Sequence, residues 1–166
     1  MKRAYLLVEG QTEETFVREL LAPHYQRLAI YLTPIVASTS HGHKGGIVSY
    51  AKVRPQIDRL CKQDDDAVVS TMFDLYALPG DFPGKSGADW TRLHSGAEKA
   101  ALIERGMARD IGKQNFLPYI QVHEFEALLF TRPEHFADWA DRETVQTLAR
   151  ARALHAPEDI NDHPQT

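Results

Sequence analysis

Carboxylates in this chain fall where its apolar runs stop. Glu9 follows the run AYLLV at residues 4–8, and Glu13 comes one helical turn after it. Asp74 closes the run AVVSTMF at 67–73, and Glu124 and Glu126 stand just beyond FLPYIQV at 116–122. Short apolar runs of this kind read as strands of a parallel sheet buried on both faces. The carboxyl ends of such strands form the crevice where open α/β sheets bind ligands. Strands ending at these positions would crowd the acids into one small volume. Close like charges repel unless a divalent cation neutralises them, and oxygen-only donors favour Mg²⁺ or Mn²⁺ over zinc. A cation held there polarises a phosphoryl oxygen and makes hydroxide available near neutral pH. Each acid taken singly has a plainer role. Glu13 and Glu14 suit the positive end of a helix, and Asp74 suits a turn. Glu124 and Glu126, two residues apart, cannot both face one way on a helix. Their joint placement is what points to a metal site.

Two loops add positive charge. In STSHGHKGG at 38–46, the glycines Gly45 and Gly46 let backbone N–H groups approach a phosphate, with His41 and Lys44 beside them. The order is not that of a Walker A loop, and His41 with His43 is too small a set for a soft-metal site. A plain surface loop is the competing reading. The second loop, PGKSG at 83–87, carries Lys85 and is followed by Trp90, Arg92 and His94. Such a loop holds a phosphate and stacks a base, or else Trp90 simply anchors it. His123, next to Glu124, has the chemistry of a general acid or base, or of a histidine bonded to backbone at a helix start.

These residues need a scaffold, and the periodicity supplies one. Strands are expected at 4–8, 30–36, 67–73 and 116–122. The second is interrupted by Pro34 and therefore belongs at a sheet edge. Helices are expected from Thr12, as N-cap, with Thr15, Phe16, Leu20 and Leu21 as its stripe and Pro23 ending or kinking it. Further helices are expected over 48–62, with Val53, Ile57, Leu60 and Cys61 inward, and over 95–110. Others are expected over 123–130, near 133–139 and over 142–154. The loop at 75–93 is long and rich in proline and glycine. Repeated strand–helix alternation gives an α/β domain with a mostly parallel, Rossmannoid sheet flanked by helices, a single domain over 1–166.

Composition sets the outer bounds. The chain has 166 residues, 19 basic and 23 acidic, for a formal net charge of −4, and a pI near 6.0. That balance argues against binding nucleic acid through bulk positive charge, and leaves open a local basic groove or a metal bridge to phosphate. The one cysteine, Cys61, excludes an internal disulfide and a Cys-rich zinc site, which fits a cytoplasmic setting. No apolar run reaches the roughly 20 residues that span a bilayer, so no membrane role is expected.

Four strings together carry a family resemblance: VEGQTE at 8–13, FDLY at 73–76, DFPG at 81–84 and HEFEAL at 123–128. They resemble the family called domain of unknown function 4276, from Met1 to the last residue. That family looks like a variant of the Toprim fold, and the V-E-G-x-T-E string is most similar to the overcoming-lysogenization-defect nucleases. The resemblance implies Mg²⁺- or Mn²⁺-dependent phosphodiester cleavage on DNA or RNA, beside an ATPase subunit in bacterial anti-phage systems. It makes Glu9 and Glu13 first-strand metal ligands and Asp74 the first acid of a D-x-D pair. Glu124 or Glu126 then stands for the later acid, with Glu9, Asp74 and Glu124 catalytic. The second acid of D-x-D is Tyr76 here, so one ligand is absent or comes from Asp81. The resemblance also implies a lysine-containing segment past Thr166, so the chain is expected to be cut short and to pair with its remainder, another subunit or a second copy. The rival expectation is a catalytically degenerate subunit that docks on an ATPase and binds nucleic acid. A phosphatase or nucleotide-processing enzyme using the same acids is a third.

Overall fold

A computed structural model describes residues 1–40, 43–44, 49–76, 78–123, 131–138 and 140–154, with the backbone alone at 39, 40, 43 and 44. The chain divides into two compact units, Met1–Gln121 and Val122–Thr166. The first is an α/β unit. Strand β1 (Lys2–Val8) leads into α1 (Gln11–Phe16), which continues through a wide π-type stretch, Val17–Leu21, into α2 (Ala22–Gln26). Then follow β2 (Ile30–Val36), a small antiparallel pair β3 (Ser38–Ser40) and β4 (His43–Lys44), and α3 (Tyr50–Gln63). Next come β5 (Val68–Asp74), the short α4 (Ala88–Arg92) and the longer α5 (Gly96–Ile111). Strands β6 (Phe116–Leu117) and β7 (Ile120–Gln121) close the unit.

All pairings in the five-stranded sheet are parallel, in the order β2-β1-β5-β6, with β7 also beside β5. The chain runs from β1 outward to β2, then returns past β1 to β5. Strand order therefore reverses between β1 and β5, and the crevice of an open α/β sheet lies at that switch point. Leu7, Val8, Val69 and Phe73 on the sheet, with Val53, Ile57, Ile103 and Met107 on α3 and α5, form the core. This is the α/β, mostly parallel sheet flanked by helices that the alternation implies.

Several local expectations change. The first helix begins at Gln11 with Gly10 as its cap, not Thr12, because Glu13 Oε2 reaches back to accept the Gly10 N–H at 2.9 Å. Pro23 does not end it. The wide turn before the proline accommodates its missing N–H and its ring, and Pro23 sits in the first turn of α2. The widened turn also shifts the helix's phase, so Val17 is the buried residue while Leu20 is 62% exposed. Strand β1 starts two residues early, at Lys2, and only Leu7 and Val8 are fully buried. The loop at 38–46 contains the β3–β4 pair. The run at 116–122 is split, since Pro118 has no N–H to give the ladder.

Pro34 costs β2 nothing. Ala37 N–H donates to Val8 O, and Ala29 O accepts from Lys2 N–H, so odd-numbered residues of β2 face β1. Position 34 faces the open edge, where a missing donor breaks no bond and discourages further strand pairing.

In the second unit, a 3₁₀ turn at Pro133–Asp138 precedes α6 (Arg142–Leu154), whose N-terminal donor at Thr144 is satisfied by Asp141 at 2.8 Å. No helix among the described residues is long and apolar enough to cross a membrane.

Candidate acidic site at the strand switch point

Strand β1 ends at Val8 because Glu9 and Gly10 turn the chain into α1. Register pairs Val8 with Met72 of β5, so Glu9 emerges beside Phe73 and Asp74. Glu9 Oε1 accepts the Asp74 backbone N–H at 3.1 Å. Burial, the Asp74 carboxylate and, more weakly, Glu13 push the Glu9 carboxyl up to about 7, although the Asp74 N–H pulls it down. A Cβ at position 10 would stand 3.1 Å from Glu13 Oε2, so Gly10 leaves room for that carboxylate to fold back toward the turn. Glu9, Asp74 and Glu13 thus share one electrostatic neighbourhood. Among the described residues, however, no three His, Cys, Asp or Glu side chains are grouped to hold a metal ion. Glu124 and Glu126 lie outside the described residues.

The far side of Asp74 is built by β7. Gln121 pairs with Asp74, and its carbonyl accepts the Leu75 N–H at 2.8 Å. Tyr119 precedes it, and its hydroxyl donates to Gln121 Oε1 at 2.5 Å. Thr71 Oγ1 accepts the Tyr119 N–H at 3.0 Å and donates to its carbonyl at 2.8 Å. Glu104 on α5 accepts the Ile120 N–H at 2.9 Å. Burial, then Glu104 and Asp74, raise the Tyr119 phenol and keep it protonated. Sequence reasoning missed Tyr119, Gln121 and Glu104. The signal was Pro118, which breaks the last strand and hands its bonds to side chains.

The loop after Asp74 is pinned rather than loose. Asp81 Oδ2 accepts the Ala51 N–H at 3.1 Å, so the residue expected to replace the absent acid satisfies a donor at the start of α3. Phe82 is buried against Tyr50 and Phe73. Pro83 lies against Gly106 of α5, and Gly84, at φ 93°, lies against Leu102. Lys85 donates to the Leu78 carbonyl, and burial lowers its pKa. Its ammonium lies 5.7 Å from the Trp90 ring centre, with that of Lys99 at 5.3 Å. Both ammoniums therefore neighbour the Trp90 ring. Tyr76 is 53% exposed. His41, Gly45 and Gly46 lie outside the described residues, and Lys44 is described only as backbone of β4.

Fold and site together define a Rossmann-like α/β chain with a coupled acidic pair at its strand switch point. The chain belongs to the family Domain of unknown function (DUF4276), whose model matches residues 8–166. No curated protein and no solved structure matches it.

Proposed function

We propose that the chain is a divalent-metal-dependent nuclease acting on DNA or RNA phosphodiesters. The observation that carries this reading is the Glu9–Asp74 pair at the switch point, where burial and the neighbouring Asp74 carboxylate raise the Glu9 carboxyl to about 7. Such a site favours a cation, and its all-oxygen donors fit Mg²⁺ or Mn²⁺. Glu9, Asp74 and Glu13 would hold the ion, with Glu124 or Glu126 as the further acids that the family strings imply. When bound, the metal supplies positive charge that polarises a phosphoryl oxygen. The chain's own groups do the rest. The Asp74 N–H fixes Glu9 through Oε1, which leaves Oε2 either to help hold the ion or to exchange a proton with the attacking water or the leaving oxygen. The resemblance of the VEGQTE string to Toprim-type nucleases, read from the sequence alone, is what extends the proposal to an ATPase partner in anti-phage defence.

A second reading has its own support. Tyr76 stands where D-x-D has its second acid, and the described residues hold no group of three ligands. A degenerate subunit that docks on an ATPase and binds nucleic acid accommodates both facts. Plasmid nicking with Mg²⁺ and Mn²⁺, alone and with a neighbouring ATPase, separates the two. The nuclease reading expects metal-dependent nicking that falls by orders of magnitude in Glu9→Gln. No cutting by wild type under any condition favours the subunit, and equal cutting by wild type and Glu9→Gln rejects Glu9 as the centre.

A further inference from the structure

We propose that Tyr119 is a stacking platform for an unpaired nucleobase beside the Glu9–Asp74 pair, making single-stranded nucleic acid the substrate class; this rests on the nuclease reading above. Tyr119 is 46% exposed, yet its position is heavily determined. Thr71, buried in β5, holds both its N–H and its carbonyl, at 3.0 and 2.8 Å. Its hydroxyl is tied at 2.5 Å to Gln121, which is only 9% exposed. The next N–H, of Ile120, is fixed by Glu104. An aromatic side chain tied through its backbone and its hydroxyl, yet half exposed, has already lost much of its freedom before any ligand arrives, which lowers the cost of binding.

Its place gives the ligand. Gln121 is in register with Asp74, and the Tyr119 hydroxyl reaches the Gln121 side chain. A second exposed ring, Tyr76, follows Asp74 by two residues. A base adjoining a phosphate handled at Glu9 and Asp74 would therefore meet an aromatic face. Inside a duplex that face is covered by neighbouring base pairs. A ring can stack on it only when the strand is single or the base is turned out. Glu104 and, without a bound cation, Asp74 repel backbone phosphate, so stacking is the contact that Tyr119 adds.

The test is binding of a short fluorescein-labelled oligothymidylate and of its duplex with oligoadenylate, with Mn²⁺ present, followed by electrophoresis for cleavage. Wild type should bind the single strand more tightly than the duplex, a comparison that needs no variant. Tyr119→Leu should weaken single-strand binding by about 5- to 150-fold, the range for one stacked base. Tyr119→Phe, which keeps the ring and both backbone anchors but loses the hydroxyl tie to Gln121, should retain most of the single-strand binding that Tyr119→Leu loses. Equal affinity for both forms, no binding of either, or full single-strand binding by a folded Tyr119→Leu overturns the proposal. Single-strand binding that depends on Tyr119 without cleavage supports the platform and removes the nuclease. Cleavage of both forms with Tyr119 dispensable removes the platform and keeps the nuclease.

Discussion

Glu9 is held by opposing effects, and their balance decides what it does. The Asp74 N–H favours its carboxylate, but burial and two nearby acids favour the carboxylic acid and win, leaving the group near 7. Its ordinary value is 4.5. Between those two values the folded chain keeps a proton that the unfolded chain has released. Stability therefore falls as pH rises through that window, by of the order of 3 kcal/mol. Glu9→Gln removes the charge and keeps an oxygen for the Asp74 N–H. In chelator, it should be more stable than wild type by about 1–3 kcal/mol at pH 8 and near wild type at pH 5. Urea unfolding at both pH values checks this, and an identical difference at the two would refute the assignment. The sequence placed Glu9 at a strand end, but its proton affinity depends on Asp74, 65 residues away, and no local pattern encodes that.

Among the elements, the segment from 75 to 93, expected as a long loop rich in proline and glycine, carries the short α4 and contacts with the core. Its D-F-P-G string works as a wedge: Asp81 on α3, Phe82 in the core, and Pro83 and Gly84 against α5. Gly106 makes the closest approach possible, since a Cβ there would stand 2.7 Å from the Pro83 carbonyl oxygen. Gly106→Ala gains about 1 kcal/mol of helix propensity. Overpacking against backbone costs about 1–3 kcal/mol, so the variant should be net destabilised. Gly80→Ala, where nothing lies within 4 Å, should change stability by less than about 0.5 kcal/mol. Thermal melts of both variants measure the contrast, and a stabilised Gly106→Ala would show that the wedge does not press on α5. Lys85 was singled out for its charge, and the fold gives that charge a carbonyl and an indole as neighbours.

For the first unit taken whole, the sheet has one edge guarded by Pro34. Because position 34 faces outward, Pro34→Thr should leave the β1–β2 ladder and the melting temperature nearly unchanged while restoring an outward donor on the edge strand. Sedimentation should then show more self-association than wild type at the same concentration. A large loss of stability with no change in association would mean that position 34 faces inward. The same sheet order sets the site, since reversal between β1 and β5 puts Glu9 and Asp74 side by side.

Apolar runs were enough to set the α/β class, the strand at 30–36 and its edge place, the buried face of α3, and the strand ends at which Glu9 and Asp74 stand. Those features are local: a strand or helix face is written in period and punctuation, and a proline marks an edge because it lacks a donor. The cap at Gly10, the passage of the helix through Pro23 and the wedge on Gly106 were not legible, because each depends on what packs opposite. The Tyr119–Gln121 anchor was hidden for the same reason, its bonds coming from Thr71 and Glu104 on other elements. Sequence alone thus determined which residues carry the acids and on which elements. Only the tertiary structure decided which of them share one field, because the Coulomb and desolvation effects that raise Glu9 arise between strands brought together by the crossover of the sheet.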